Sequence, residues 1–242
     1  GMLGGTDPAA KVLFATHLLS ASVMAVPGSI VLAKMLCPQT EEATDHVAIS
    51  GKEKENSNIL DAISSGTVTG VKLMTNIAAM LLVFISLVAL ANYITEGVIG
   101  RYTGLNDWIV KITDGKAQGL TFQFILGVIT SPFMWLIGVP SQDIMLVGSL
   151  LGQKTILNEF VAYFQLQQWK DAGLFMYEKS ILMSTYILCG FANISSIGIL
   201  LGGLGVLAPE KRGLISRIGL PAMIGGALVS VLSATIIGMI LG

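Results

Sequence analysis

Hydrophobic positions along this chain gather into long runs separated by short polar stretches. The first run is Lys11 to Cys37, longer than the ~20 apolar residues that span a bilayer. Thr6-Asp7-Pro8 ahead of it supplies a capping residue and a proline for the first turn of a helix. Inside it, Ala25-Val26-Pro27-Gly28 predicts a kink whose freed backbone groups neighbouring helices must satisfy. The segment 38–66 is polar, with Glu41, Glu42, Asp45 and Lys52-Glu53-Lys54-Glu55, and reads as a solvated loop ending in a short helix. A second span covers Val71 to Ile94. The moderately polar stretch after it holds Trp108 beside Asp107, a mixture suited to the headgroup level of a membrane.

The middle of the chain, 119–168, breaks the pattern. Gly119 to Val139 is apolar but carries Pro132 and ends at Pro140. Ile144 to Leu151 follows, then Gly152-Gln153-Lys154, then Thr155 to Leu166. These later pieces are too short to cross singly. Short apolar segments interrupted by glycine predict an interfacial helix followed by a re-entrant hairpin. The polar stretch Gln167 to Lys179 then leaves the membrane. The segment 180–207 spans again, but its centre, Cys189-Gly190-Phe191-Ala192-Asn193-Ile194-Ser195-Ser196, is a polar patch where a helix can unwind. The last span is Leu214 to Leu241. Lys211, Arg212 and Arg217 before and within its start favour a cytoplasmic turn and an outside C-terminus. The pattern predicts an all-α polytopic membrane protein, with about four transmembrane spans, a re-entrant hairpin and a broken transmembrane helix.

Composition agrees. Of 242 residues, 53% are hydrophobic and 12% charged, about half the charged share of an ordinary globular chain. Mean hydropathy is +0.75. These values exclude a disordered chain, a nucleic-acid binder and a typical cytosolic enzyme. Lys and Arg number 14 against 15 Asp and Glu, so no net field advertises a polyanionic partner. Cys37 and Cys189 make no disulfide framework and read as small buried hydrophobes. The 28 glycines fit helices that approach closely in lipid. Gly1-Met2 looks like the scar of a removed tag, and no signal peptide follows.

Few residues can carry chemistry. Glu159 stands in Leu157-Asn158-Glu159-Phe160-Val161-Ala162-Tyr163, and a carboxylate deep in a membrane costs ~2.5–3.5 kcal/mol on insertion scales. It needs a polar partner, a cavity or a substrate, and as an acceptor it suits the vicinal hydroxyls of a sugar. The plainer possibility is an ion pair with Lys154, about one helical turn away. Asn158 beside it strengthens the binding interpretation. Asn193 and Ser196 share a face if the backbone stays helical; interhelical hydrogen bonding is their plainer role. Phe191 is either ordinary packing or an aromatic surface for a planar base. Gln123 and Lys154 read as structural, Tyr186 as a core residue with a bonded hydroxyl, and His17 and His46 as isolated. No metal-ligand spacing, nucleophile elbow, P-loop or dinucleotide fingerprint occurs, which argues against an enzyme.

Two of these segments carry a family likeness. Gly152-Gln153-Lys154-Thr155-Ile156-Leu157-Asn158-Glu159-Phe160-Val161-Ala162-Tyr163 resembles the second hairpin of concentrative nucleoside transporters, and Tyr186 through Ser196 resembles the broken helix that follows it. His17 to Pro27 and Phe122 to Val139 are similar to further segments, in the family's order. The likeness covers the whole chain, 1–242, but only the C-terminal part of the family's fold. The family's first hairpin, with its Gln-Thr-Glu-Ala-Pro motif, is not found; Gln39-Thr40-Glu41 sits in a polar loop. The N-terminal scaffold helices are missing too, and a truncated piece is the favoured explanation.

The resemblance implies a symporter that imports nucleosides by alternating access, coupled to sodium or protons. It implies ribose held by Glu159, Asn193 and Ser196 with the base against Phe191, and Asn158 is added as a candidate contact. It further implies a homotrimer in the cytoplasmic (inner) membrane, with no cofactor, no nucleic-acid partner and a sodium site in the missing part. The alternative is a non-transporting membrane assembly protein whose polar spots only join helices.

Overall fold

The computed structural model describes residues 3–5, 7–38, 58–113, 115, 117–207 and 209–242. Among the described residues every regular element is helical. Helix α1 (Pro8–Leu36) starts where Asp7 accepts a hydrogen bond from the Ala9 N–H at 2.9 Å, and it runs through Pro27 without interruption. Most of the polar loop, 39–57, lies outside the described residues. Its end differs from expectation. Asn58 caps a single helix, α2 (Ile59–Asn92), so the anticipated short helix and the second span are one element. No proline occurs in this stretch, and its glycines, Gly66 and Gly70, weaken a helix without breaking it.

Helix α2 runs into a π-helical segment (Tyr93–Gly100), a short α3 (Arg101–Thr103) and α4 (Leu105–Ile112). Two asparagines fasten this region to residues 120–123. Asn92 accepts from the Phe122 N–H at 2.8 Å and donates to Gln123 Oε1 at 3.2 Å. Asn106 donates to the Glu96 carbonyl and accepts from the Leu120 N–H, both at 3.0 Å. Gln123 thus takes part in this tie through its side-chain oxygen.

Helix α5 (Phe122–Leu136) ends in a Schellman turn. Gly138, at φ 83°, lets its own N–H reach the Trp135 carbonyl and the Val139 N–H reach that of Met134. The chain then reverses into α6 (Ile144–Ile156), which packs along α5. Gly152 permits that contact, since a Cβ there would lie 2.5 Å from Leu126 Cβ. The sequence placed an interruption at Gly152-Gln153-Lys154, yet α6 continues through all three. The interruption is at Leu157-Asn158, because Asn158 caps the next helix, α7 (Glu159–Asp171), by accepting from the Val161 N–H at 3.0 Å. The first part of the polar stretch, Gln167 to Asp171, completes α7.

Asp143, fully buried ahead of α6, accepts from the Met176 N–H at 3.0 Å and the Tyr177 N–H at 3.1 Å, which joins the start of α6 to the entry of α8 (Glu178–Leu188). After a non-helical gap at 189–193 come α9 (Ile194–Leu207), a 3-10 turn (Pro209–Lys211) and α10 (Arg212–Ile240). The core forms where α6, α7, α8 and α10 meet, around Val147, Leu150, Leu166, Met183, Ile187 and Ala234. Helices α1 and α2 instead leave large apolar side chains exposed, Val23, Ile30, Leu82 and Leu90 among them. Among the described residues, Pro8–Leu36 and Arg212–Ile240 are the helices long and apolar enough to cross a bilayer by length and composition. Cys37 is exposed rather than buried, since it follows the last turn of α1 instead of packing inside the bundle. Cys189 is partly buried, with Sγ 3.6 Å from the Leu18 carbonyl.

Candidate functional site

The site is built from two interruptions of helix that face one another. The first is the tip between α6 and α7. Leu157 (φ −93°, ψ −94°) leaves the helical region and Asn158 (φ −169°, ψ 170°) is extended. Glu159 is therefore the first residue of α7, where the positive end of the helix dipole favours a carboxylate.

The second interruption is 189–193. Asn193 ends it and caps α9: its Oδ1 accepts from the Ser196 N–H at 2.7 Å and from Ser195 Oγ at 2.6 Å. Ser196 reciprocates, with its Oγ 3.3 Å from the Asn193 N–H and donating to the Asn193 carbonyl at 2.6 Å. This is the reciprocal geometry of a capping box, with serine in the returning role. Asn193 and Ser196 are therefore linked through a helix start, not as two positions on one continuous helical face. Both are buried.

The two interruptions meet through one bond. Asn193 Nδ2 donates to Glu159 Oε2 at 2.8 Å, across 34 positions of sequence. Such a bond to an ionised acceptor is shorter and stronger than a neutral one. Glu159, Asn193 and Ser196 thus form one connected polar group. Phe191 lies within the same break and is 55% exposed. With Ser196, Gly190 and Ile197 it lines a cavity of about 310 Å³ bounded by α1 and α10. Asn158 is turned toward its own helix, because its oxygen is used in capping α7.

Several neighbours are not those that sequence spacing indicated. Lys154 does not pair with Glu159. It is fully buried, and its Nζ donates to the Ile187 carbonyl at 2.7 Å and to Ser230 Oγ at 3.0 Å. Tyr163, one turn beyond Glu159, donates its hydroxyl to the Thr185 carbonyl at 2.8 Å. His17 is not isolated: its Nδ1 is 3.1 Å from the Tyr186 hydroxyl, and the rings meet edge to face. Tyr186 is a core residue with a bonded hydroxyl. Ser230 had no distinguishing signal, standing as one small polar residue among valines and leucines in a long apolar run. Among the described residues no three of His, Cys, Asp and Glu converge as metal ligands would. Chemically, the group can accept several hydrogen bonds at one carboxylate and donate at one amide, beside an exposed aromatic ring.

Comparison with known proteins gives this arrangement a context. A family described as Na+ dependent nucleoside transporter C-terminus matches residues 17–238. A transporter of Haemophilus influenzae is 38% identical over 253 residues, covering 100% of this chain and 58% of that protein. Sodium/nucleoside cotransporter 1 of Rattus norvegicus is 38% identical over 240 residues, covering 93% of this chain and 35% of that protein. The solved structure of CNTnw in an inward-facing substrate-bound state superposes with a TM-score of 0.76 at 36% identity, over 93% of this chain and 51% of that one. The chain spans about half the length of the curated bacterial relatives it matches.

Proposed function

Because the chain belongs to the family of Na+-dependent nucleoside transporters, of which it carries the C-terminal part, we propose that it is the substrate-holding module of a sodium-coupled nucleoside symporter. The family is one of multi-pass membrane transporters, not of enzymes. The observation that carries the proposal is the 2.8 Å bond between Asn193 and Glu159. It unites two separate polar interruptions at one point inside an apolar bundle.

In this mechanism Glu159 accepts the vicinal hydroxyls of ribose, and the Asn193 amide donates to a hydroxyl oxygen. Ser196 holds Asn193 in place and offers its Oγ as an acceptor. Phe191 lies against the base, and the Asn158 amide nitrogen is within the same tip. Helices α6 and α7 act as the two arms of a re-entrant hairpin, and α8 and α9 as the two halves of a broken span. With α1, α2 and α10 this gives about four crossings. Movement of hairpin and broken helix together past a fixed scaffold delivers the nucleoside inward. Sodium is the proposed co-transported ion, supported by the family description and by the name of the rat relative. The assembled protein is a homotrimer in the cytoplasmic membrane.

The test is uridine uptake by cells expressing the intact transporter with Glu159→Gln, normalised to the amount in the membrane. Glutamine keeps the shape and loses the charge, and uptake is expected to vanish. Wild-type uptake in this variant refutes the role of Glu159 and favours a membrane protein whose polar groups only join helices.

A further inference from the structure

We propose that Lys154 is a positioning residue: it tethers the helix end before the break at 189–193 and so sets the register between Glu159 and Asn193. The proposal rests on the substrate reading above.

A lysine is almost never fully buried unless paired, because removing its charge from water is costly. Lys154 is 0% exposed and has two partners. The first explains the site. In an uninterrupted helix the Ile187 carbonyl would accept from the N–H four residues on, that of Phe191. The helix stops at Leu188, so the carbonyl loses that donor. Lys154 Nζ supplies the missing donor at 2.7 Å, and a cation is favoured at the negative end of a helix dipole.

The second partner fixes the tether to another helix. Ser230 Oγ, on α10, receives from Lys154 at 3.0 Å and itself donates to the Gly226 carbonyl at 3.2 Å. It lies so close to Gly190 that a Cβ there would overlap it. The head of Lys154 therefore joins α6, α8 and α10 at one point, directly under the break.

The spacing of the four groups fits the same role. Lys154 and Glu159 flank one tip, and their partners Ile187 and Asn193 flank one break. The tip thus grips both edges of the break, with Tyr163 on Thr185 as a further rung. The cavity beside Phe191 is lined by Gly190, Ser196 and Ser230, the hydroxyl that Lys154 holds, while Lys154 itself stands behind them.

The experiment uses the intact transporter and compares uridine with 3′-deoxyuridine, each rate normalised to membrane abundance. In Lys154→Met the stem is kept and the donor is lost. The KM for uridine is expected to rise about tenfold with Vmax per transporter largely retained, and the preference for uridine over the deoxy analogue to collapse. Damage to packing alone would lower Vmax and leave that preference intact. Wild-type KM and preference in Lys154→Met overturn the proposal. If that variant does not reach the membrane, Ser230→Ala decides, since it removes one partner and leaves Lys154 in place. It should raise KM about two- to threefold with the preference narrowed, and unchanged values overturn the proposal equally. Failure of the substrate reading would look different: the unmodified protein would not distinguish the two nucleosides, or Glu159→Gln would transport.

Discussion

Replacing Asn193 by Asp separates two tasks that its carboxamide performs together. One oxygen caps α9, accepting from Ser196 N–H and Ser195 Oγ. Aspartate caps as well as asparagine does, so this task survives. The nitrogen donates to Glu159 Oε2 at 2.8 Å. In the variant a second carboxylate oxygen takes its place, and two acceptors confront each other where one bond stood. Either the pair repels or one carboxyl holds a proton. In the complex the amide's donation to a ribose hydroxyl is also lost, and a buried polar group left without its partner costs about 1–3 kcal/mol. At about 1.4 kcal/mol per decade, uridine Kd should rise about 5- to 150-fold. Asn193→Ala loses the cap too, a further cost of about 1 kcal/mol that appears as lower thermal stability. Equilibrium binding of radiolabelled uridine to the purified transporter, paired with thermal unfolding, reads both effects. Binding in Asn193→Asp within about twofold of wild type, in a normally folded protein, would refute the reasoning.

Two further predictions concern the frame around the site. Gly152→Ala should force α5 and α6 apart, because the new Cβ would fall 2.5 Å from Leu126 Cβ. Overpacking of this kind costs about 1–3 kcal/mol and should lower the melting temperature of the purified protein; an unchanged melt counts against the tight helix contact. Tyr163→Phe removes the 2.8 Å bond to the Thr185 carbonyl. A loss of about 0.5–1.5 kcal/mol in stability should result while uridine uptake persists, and abolished uptake at normal abundance would show that Tyr163 does more than brace the hairpin.

Local chemistry made much of this protein legible from its residues. The start of α1 at Asp7 was readable as a cap, and Asn58, Thr121, Asn158 and Asn193 cap their helices in the same way, since a side-chain oxygen one step before a helix satisfies an orphan N–H; α4, α6, α8 and α10 begin without such a side-chain bond. The break at 189–193 coincides with the glycine-flanked polar patch for the same reason. Glu159 stood out because a carboxylate among apolar residues demands a partner. The position of the tip was harder to read. Gly152 looked like an interruption, but a glycine against a neighbouring helix serves close packing and leaves the helix intact.

The identity of each buried group's partner was decided only by the folded chain. Lys154 and Glu159 are five residues apart and suggested an ion pair. Instead Lys154 bonds a carbonyl 33 positions away and a hydroxyl 76 positions away. His17 meets Tyr186 across 169 positions. Sequence determines that such groups require a donor or acceptor, because leaving them bare in an apolar bundle is too costly. Which donor or acceptor answers depends on the helices that pack beside them, and their crossing is set by the shapes of many side chains at once.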